Sequence, residues 1–522
     1  MQCWTFLFRV VETSYSCLPL TGSAGRGRKQ DQEVIPGWTA EVEPHRQKSN
    51  YCYRAWLAGG KPSHGDLHRA KLDSHCAFRY AVRRVKRADK LHQAKGLFAA
   101  AQEGDVSLMK EMRRLQSGHG TAAAEELTDT VDGVTGQQEV ADQFGAVYSA
   151  LYNSAESDES MKQIEARIRR LLPEENSKAQ TEKITMEVVK NAAVKLKPHK
   201  MDISQGFTSD CFMHAPDIFF SLISLVFQDW LTHGTVTRSV LSCAFIPLLK
   251  NSRKDPAKTE SYRAIAGSSL LLKLFEKCIL SVWGEQLQSD TLQFGFKRGC
   301  GTSSATRLVQ EVLQHYLRGG SKPVAVVLDC SKAFDLAKFD ILFDRLLSDR
   351  KMPAIVVRVL AYSYQEQLAW VRCGRGCTST TFKISNGTRQ GSVASPAFWS
   401  VYLDPLFSLL RRDGVGCHVG GVFMGAIGYA DDLILLAPSR GAAQRMLTLC
   451  ENFANDHNIM FSTDPDPTKS KTKAIYVTGP RGSGLTKSVA LQLFGQALPW
   501  VARAEHLGHA LSEDGTMRRD AV

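Results

Sequence analysis

Two adjacent aspartates, Asp431 and Asp432, interrupt the apolar, β-prone run AIGYADDLILLAP. The pattern predicts a hairpin with the acids at its tip. Carboxylates side by side repel and raise each other's pKa, so a pair held between buried strands is costly unless a divalent cation neutralises it. Short Asp side chains offer only oxygen ligands, which suits Mg²⁺, an ion that keeps waters and takes phosphate oxygens as further ligands. The bland alternative is a solvent-exposed Asp-Asp turn. Tyr429 and the long apolar flanks weigh against it.

A third acid lies upstream in VAVVLDCSKAFD. Val324 to Leu328 predict a buried strand with Asp329 near its C-terminal end. Alone, such an Asp is more often a strand-end turn or a helix N-cap. An antiparallel sheet that joins it to Asp431 would instead make a two-metal site for nucleotide addition. Between them lies NGTRQGSVASPAFWSVYLDPLF, a Gly-rich turn before a core helix. Gly391 allows close backbone approach to a base pair, Gln390 can donate and accept hydrogen bonds, and Arg389 can meet phosphate. Ser395-Pro396 reads as an N-cap followed by the first helical residue.

A chain of 522 residues has room for two or three domains. Lys and Arg outnumber Asp and Glu 65 to 53, a net charge of +12 that favours polyanionic partners, nucleic acid first. The 13 cysteines show no zinc spacing; Cys373 with Cys377, and His64, His68 and Cys76, read as thiols and histidines of a reducing compartment. No signal peptide or membrane span is expected, which predicts an intracellular protein of nucleus or cytoplasm. Residues 1–60 are rich in Gly, Pro and polar residues and are expected to be poorly ordered. Residues 61–120 read as a basic helical segment, with Phe78, Val82, Val85, Leu91 and Phe98 at helical spacing and Arg83, Arg84, Lys86, Arg87, Lys90 and Lys95 on other faces. That charge run is either a solvated face or a phosphate-contacting one. Residues 121–235 read as a helical linker, and the α/β texture from 236 to 515 carries the chemistry.

DCSKAFD, GTRQGSVASP and YADD, in this order, resemble reverse transcriptases of non-LTR (LINE-type) retrotransposons. The flanks agree: IPLLKNSRKDPAKTESYRAI resembles the fingers, LKLFEK with QFGFKRGCGTSSA the template-facing stretch, and KSKTKAIYV with EHLGHALSEDG the lysine-bearing and primer-grip elements. The resemblance implies a right-hand polymerase of α/β (α+β) class, with fingers and an antiparallel palm sheet after a mostly helical extension. It implies an RNA template, a DNA primer, dNTPs, and two Mg²⁺ ions, with Mn²⁺ as a substitute. Asp329, Asp431 and Asp432 match the metal-binding triad, and Phe334 the aromatic gate that excludes a 2′-hydroxyl. Lys250 and Arg263 match basic fingers residues on the triphosphate, Gln390 and Gly391 line the nascent pair, and Lys469 or Lys471 lies near the pyrophosphate. Gly295, Lys297, Arg298, Arg389, Tyr429, Leu507 and Gly508 fall where template or primer would run.

Departures from the family pattern are YRAI in place of YRPI, Cys300 where a basic residue is commoner, and Pro405 inside the helix after Gln390-Gly391, which predicts a kink. No endonuclease is expected ahead of the polymerase and little thumb after it, as in a truncated copy. Two other readings stand beside RNA-directed DNA synthesis: an RNA-directed RNA polymerase, which Phe334 disfavours, and an inactive remnant that binds nucleic acid.

Overall fold

The computed structural model describes residues 38–102 and 130–519, with breaks at 156–157, 176, 205, 251–253, 374–375, 465, 467–468 and 480–488; in its second helix, side chains are described as far as residue 85. The chain divides into two units, residues 1–125 and 126–522.

In the first unit a short π-helical turn, Trp38–Val42, runs into the helix Glu43–Ala58, and Asp66–Gln102 forms a second helix. Of residues 1–60, expected to be poorly ordered, 38–58 are helical, and 1–37 lie outside the described residues. The breakers sit where a helix tolerates them: Pro44 in the first turn and Gly59-Gly60 just past the end, with none between. Val42, Ala81 and Val85 form a small core under Phe78 and Val82. Arg84 pairs with Glu41 at 2.5 Å, so one cation of the basic run is already partnered. The side chains of Lys86, Arg87, Lys90, Leu91, Lys95 and Phe98 lie outside the described residues.

The second unit holds eleven strands used below: β1 (Cys243–Leu249), β2 (Tyr262–Ser268), β3 (Val324–Ser331), β4 (Leu368–Cys373), β5 (Ala426–Tyr429), β6 (Asp432–Ala437), β7 (Met460–Phe461), β8 (Lys473–Tyr476), β9 (Arg503–His506), β10 (His509–Ser512) and β11 (Met517–Arg519). β5, β6, β3 and β7 form one antiparallel sheet in that order, with β8 also paired to β3. Val324 to Leu328 are all buried, as expected for a strand covered on both faces. On one face Ala305, Val309 and Val312 of the helix Thr302–Arg318 pack on Val327, Ile427, Ile434 and Leu436.

The second edge of β3 is shared. β8 pairs with Val324 to Val327, and β7 with Cys330 and Ser331. The chain from β7 to β8 therefore passes Asp329, where Ser462 N–H donates to the Asp329 carbonyl at 2.8 Å. A second sheet pairs β2 with β1 antiparallel along their full length and β1 with β4 in parallel.

The helix Ser395–Asp413 continues through Pro405. Ser395 is its first helical residue and not its N-cap, which is Ala394. The buried Glu276 carboxylate performs the capping instead, accepting from Val393 N–H at 2.8 Å and Ala394 N–H at 3.2 Å. Among the described residues no helix is long and apolar enough to cross a membrane.

Candidate functional site

β5 and β6 join through two residues, Ala430 and Asp431, with Tyr429 opposite Asp432. Ala430 has φ +60°, and of the two only it is positive, the pattern of a type II′ hairpin that ordinarily takes Gly there. Neighbours hold the strained residue from both sides. Gln293, fully buried, accepts from Ala430 N–H through Oε1 at 2.9 Å and donates from Nε2 to the Ala430 carbonyl at 3.1 Å. Trp399 Nε1 donates to the same carbonyl at 3.1 Å. Gly295 lies so close that a Cβ there would stand 2.2 Å from the Ala430 nitrogen.

This clamp fixes where the acids stand. In the β6–β3 register Asp432 faces Asp329, and Asp431 sits at the turn beside them. Burial, then repulsion from Asp431 and Asp329, raises the Asp432 carboxyl from 3.8 to about 6. Asp431 is also raised, by burial first and Asp329 next, with Arg263 and Lys471 opposing. Lys471 Nζ donates to Asp329 Oδ2 at 3.1 Å, whereas Lys469 pairs with Asp466 at 3.6 Å. Of the two lysines, Lys471 is the one beside the acids. Among the described residues no three His, Cys, Asp or Glu side chains are drawn tightly around one point. Mutual repulsion keeps like charges apart until a cation joins them. The donor set fits a hard divalent ion: carboxylates only, partly desolvated, and a cation would bring down the raised carboxyls of Asp431 and Asp432.

Two cations, Arg263 and Lys471, act on Asp431, and they also face Lys250. The Lys250 ammonium is held below its ordinary pKa by burial, and then by repulsion from Lys471, Arg263, Lys332 and Lys254. That many positive charges within mutual reach suit a polyphosphate. Phe334 lies in the short helix Ala333–Leu336 that follows β3, its ring 5.5 Å from Trp399 and 6.2 Å, edge-on, from Phe296. Gln390 and Gly391 lie against β2. The Gln390 carbonyl accepts from Ala266 N–H at 2.7 Å, and Gly391, at φ +106°, has room for no Cβ because the Ala266 carbonyl would be 2.9 Å away.

Residues 250–490 match the reverse transcriptase (RNA-dependent DNA polymerase) family. They form a reverse transcriptase domain. The chain is similar to the retrovirus-related Pol polyprotein of the type-1 retrotransposable element R2 of Nasonia vitripennis, 24% identical over 52% of this chain and 26% of that protein. It is similar to the Pol polyprotein of element R2DM of Drosophila melanogaster, 25% identical over 42% and 20%. A putative 115 kDa protein of element R1DM of the same fly is 25% identical over 51% and 24%. These are non-LTR elements, and the chain spans about a quarter of the length of such relatives. Among solved structures, Candida tropicalis telomerase truncated from its C-terminal domain covers 56% of this chain and 59% of its own, at 11% identity and a TM-score of 0.36, too distant to bear on the argument.

Within the reverse transcriptase domain, two residues expected along the nucleic acid lie elsewhere. Arg389 is 2% exposed, 3.5 Å from Glu276 and 4.5 Å over the Tyr364 ring. It braces the core and does not meet phosphate; its guanidinium makes an ion pair with Glu276 but no well-aligned hydrogen bond. Gly295 is buried against Ala430, and its function is spacing. Lys297 donates to the Asp290 carbonyl, Arg298 is exposed, and Tyr429 is half-buried in the sheet. Leu507 and Gly508, both at positive φ, form the turn between β9 and β10. Sequence reasoning missed Gln293 and Glu276. The Q of QFGF was the available signal for the first; for the second it was the lone acid in the apolar run around LKLFEK.

Proposed function

We propose that this domain adds dNTPs to a DNA primer 3′-end on an RNA template, with two Mg²⁺ ions held by Asp329, Asp431 and Asp432 and Mn²⁺ as a substitute. The observation that carries the reading is the register that sets Asp432 opposite Asp329 with Asp431 at the adjoining turn. Bound there, the ions would acidify the primer hydroxyl and offset charge on the departing pyrophosphate. The chain's own residues do the rest. Lys250, Arg263 and Lys471 draw in and orient the triphosphate. Phe334 packs beneath the sugar and leaves no room for a 2′-hydroxyl. Gln390 and Gly391 face the nascent pair, and Lys297, Arg298, Tyr429, Leu507 and Gly508 line the path of template and primer.

Primer extension on an RNA template with Mg²⁺ tests the proposal. Extension with dNTPs is expected, and Asp431→Asn should lower it by at least about 10³-fold, since removing one charged ligand disables the metal site. Product that survives Asp431→Asn would sink the reading.

A further inference from the structure

Among the buried acids outside the triad, one lies beside Phe334. Asp335 directly follows Phe334 and is 6% exposed. Its Oδ1 accepts from the Tyr152 hydroxyl at 2.5 Å and from Gln390 Nε2 at 2.9 Å, and its Oδ2 accepts from the same Nε2 at 3.1 Å. Tyr152, itself fully buried, is held by stacking on Phe245 at 4.7 Å. The loop bearing Gln390 is fastened to the same place: Asn386 Nδ2 donates to the Asp335 carbonyl at 2.7 Å, and Thr388 N–H to the Phe334 carbonyl at 2.6 Å.

An ionised carboxylate only accepts, and the two ends of a glutamine amide differ: the NH₂ donates and the oxygen accepts. With Nε2 committed to Asp335, a flip of the amide would set oxygen against oxygen. We propose that Asp335, anchored by Tyr152, is a positioning residue that locks Gln390 with its carbonyl oxygen toward the nucleotide, so that the seat selects a hydrogen-bond donor on the incoming substrate. This rests on the polymerase reading above. Burial raises the Asp335 carboxyl to about 6, opposed by the Tyr152 and Gln390 hydrogen bonds and by Lys332 and Lys250, so it is mainly ionised at neutral pH.

The test is steady-state extension with the full chain, Mg²⁺ and dNTPs at pH 7.5. Asp335→Asn gives Gln390 an NH₂ to face and frees the amide to reverse. The expected result is a KM for dNTP about tenfold higher with kcat within about threefold, the loss of one oriented hydrogen bond. In a Gln390→Ala background the same substitution should change KM less than about twofold, because the residue through which it acts is gone. Tyr152→Phe removes the anchor on Oδ1 but leaves both Gln390 hydrogen bonds in place, so KM should rise by about two- to threefold, less than in Asp335→Asn, and the rise should vanish in the Gln390→Ala background. An unchanged KM in Asp335→Asn overturns the proposal, as does an equal rise in the Gln390→Ala background. If Asp335→Asn does not fold, Tyr152→Phe decides alone: a KM that does not move, or a rise that persists unchanged in the Gln390→Ala background, overturns the proposal. A wild-type chain that does not extend at all brings down the polymerase reading and this proposal together, an outcome separable from the others.

Discussion

Asp432 shows how a desolvated carboxyl strains the protein that carries it. Its folded pKa of about 6 exceeds the 3.8 of an ordinary Asp, so the folded form binds the proton more tightly than the unfolded chain. The stability this contributes is fully present below pH 3.8 and is lost as pH rises through about 6. Asp432→Asn should therefore melt higher than wild type at pH 7.5 without metal, and the advantage should vanish near pH 4. The same variant should lose the Mg²⁺-dependent rise in melting temperature that wild type is expected to show. Thermal melts across pH, with and without Mg²⁺, check both outcomes. Phe334 makes a second prediction at this scale. With its ring held by Trp399 and Phe296, Phe334→Ala should open space beneath the sugar and cut discrimination against rNTPs by roughly 100-fold, read as the ratio of kcat/KM values.

At the scale of elements, the hairpin depends on a residue far from it in sequence. Gln293 satisfies both backbone groups of Ala430, so Gln293→Ala should destabilise the protein by about 3 kcal/mol, through lost hydrogen bonds and a cavity. Its kcat should fall as well, because the acids lose their fixed position; urea unfolding and single-turnover extension measure the two effects. Such contacts explain what could be read from sequence and what could not. Apolar runs of strand length announced β3, β5 and β6, and periodic apolar positions announced the long helix Asp66–Gln102, whereas the helix Glu43–Ala58 went unread. Adjacent acids between two such runs announced the turn. The clamp on that turn, by contrast, is chemistry between residues 137 positions apart. Arg389 misled for the same reason: a basic residue in a Gly-rich turn reads as exposed until Glu276 closes over it from another helix. The choice between Lys469 and Lys471 was equally illegible locally. It follows from how β7 and β8 divide the edge of β3, which is a property of the sheet.

For the whole molecule, the charge surplus of +12 and the cations gathered at the acids set a dependence on salt. Binding of an RNA–DNA hybrid should weaken by about 10³-fold between roughly 50 and 200 mM salt, if six or so phosphates are neutralised. Filter binding across a salt series would show a steep linear slope in log–log form. A shallow slope would mean that the cations serve the triphosphate alone.

Tyr152 belongs to the helix Gln137–Tyr152, well before the family-matched stretch begins at residue 250, yet its hydroxyl reaches Asp335 beside Phe334. Its carbonyl also receives Ser385 and Asn386 N–H groups, at 2.9 and 3.0 Å. Anyone trimming the protein to a minimal fragment at the family boundary would remove one wall of the proposed nucleotide seat, water would reach Asp335, and the loop bearing Gln390 would lose its moorings. The smallest piece worth expressing starts upstream of Gln137.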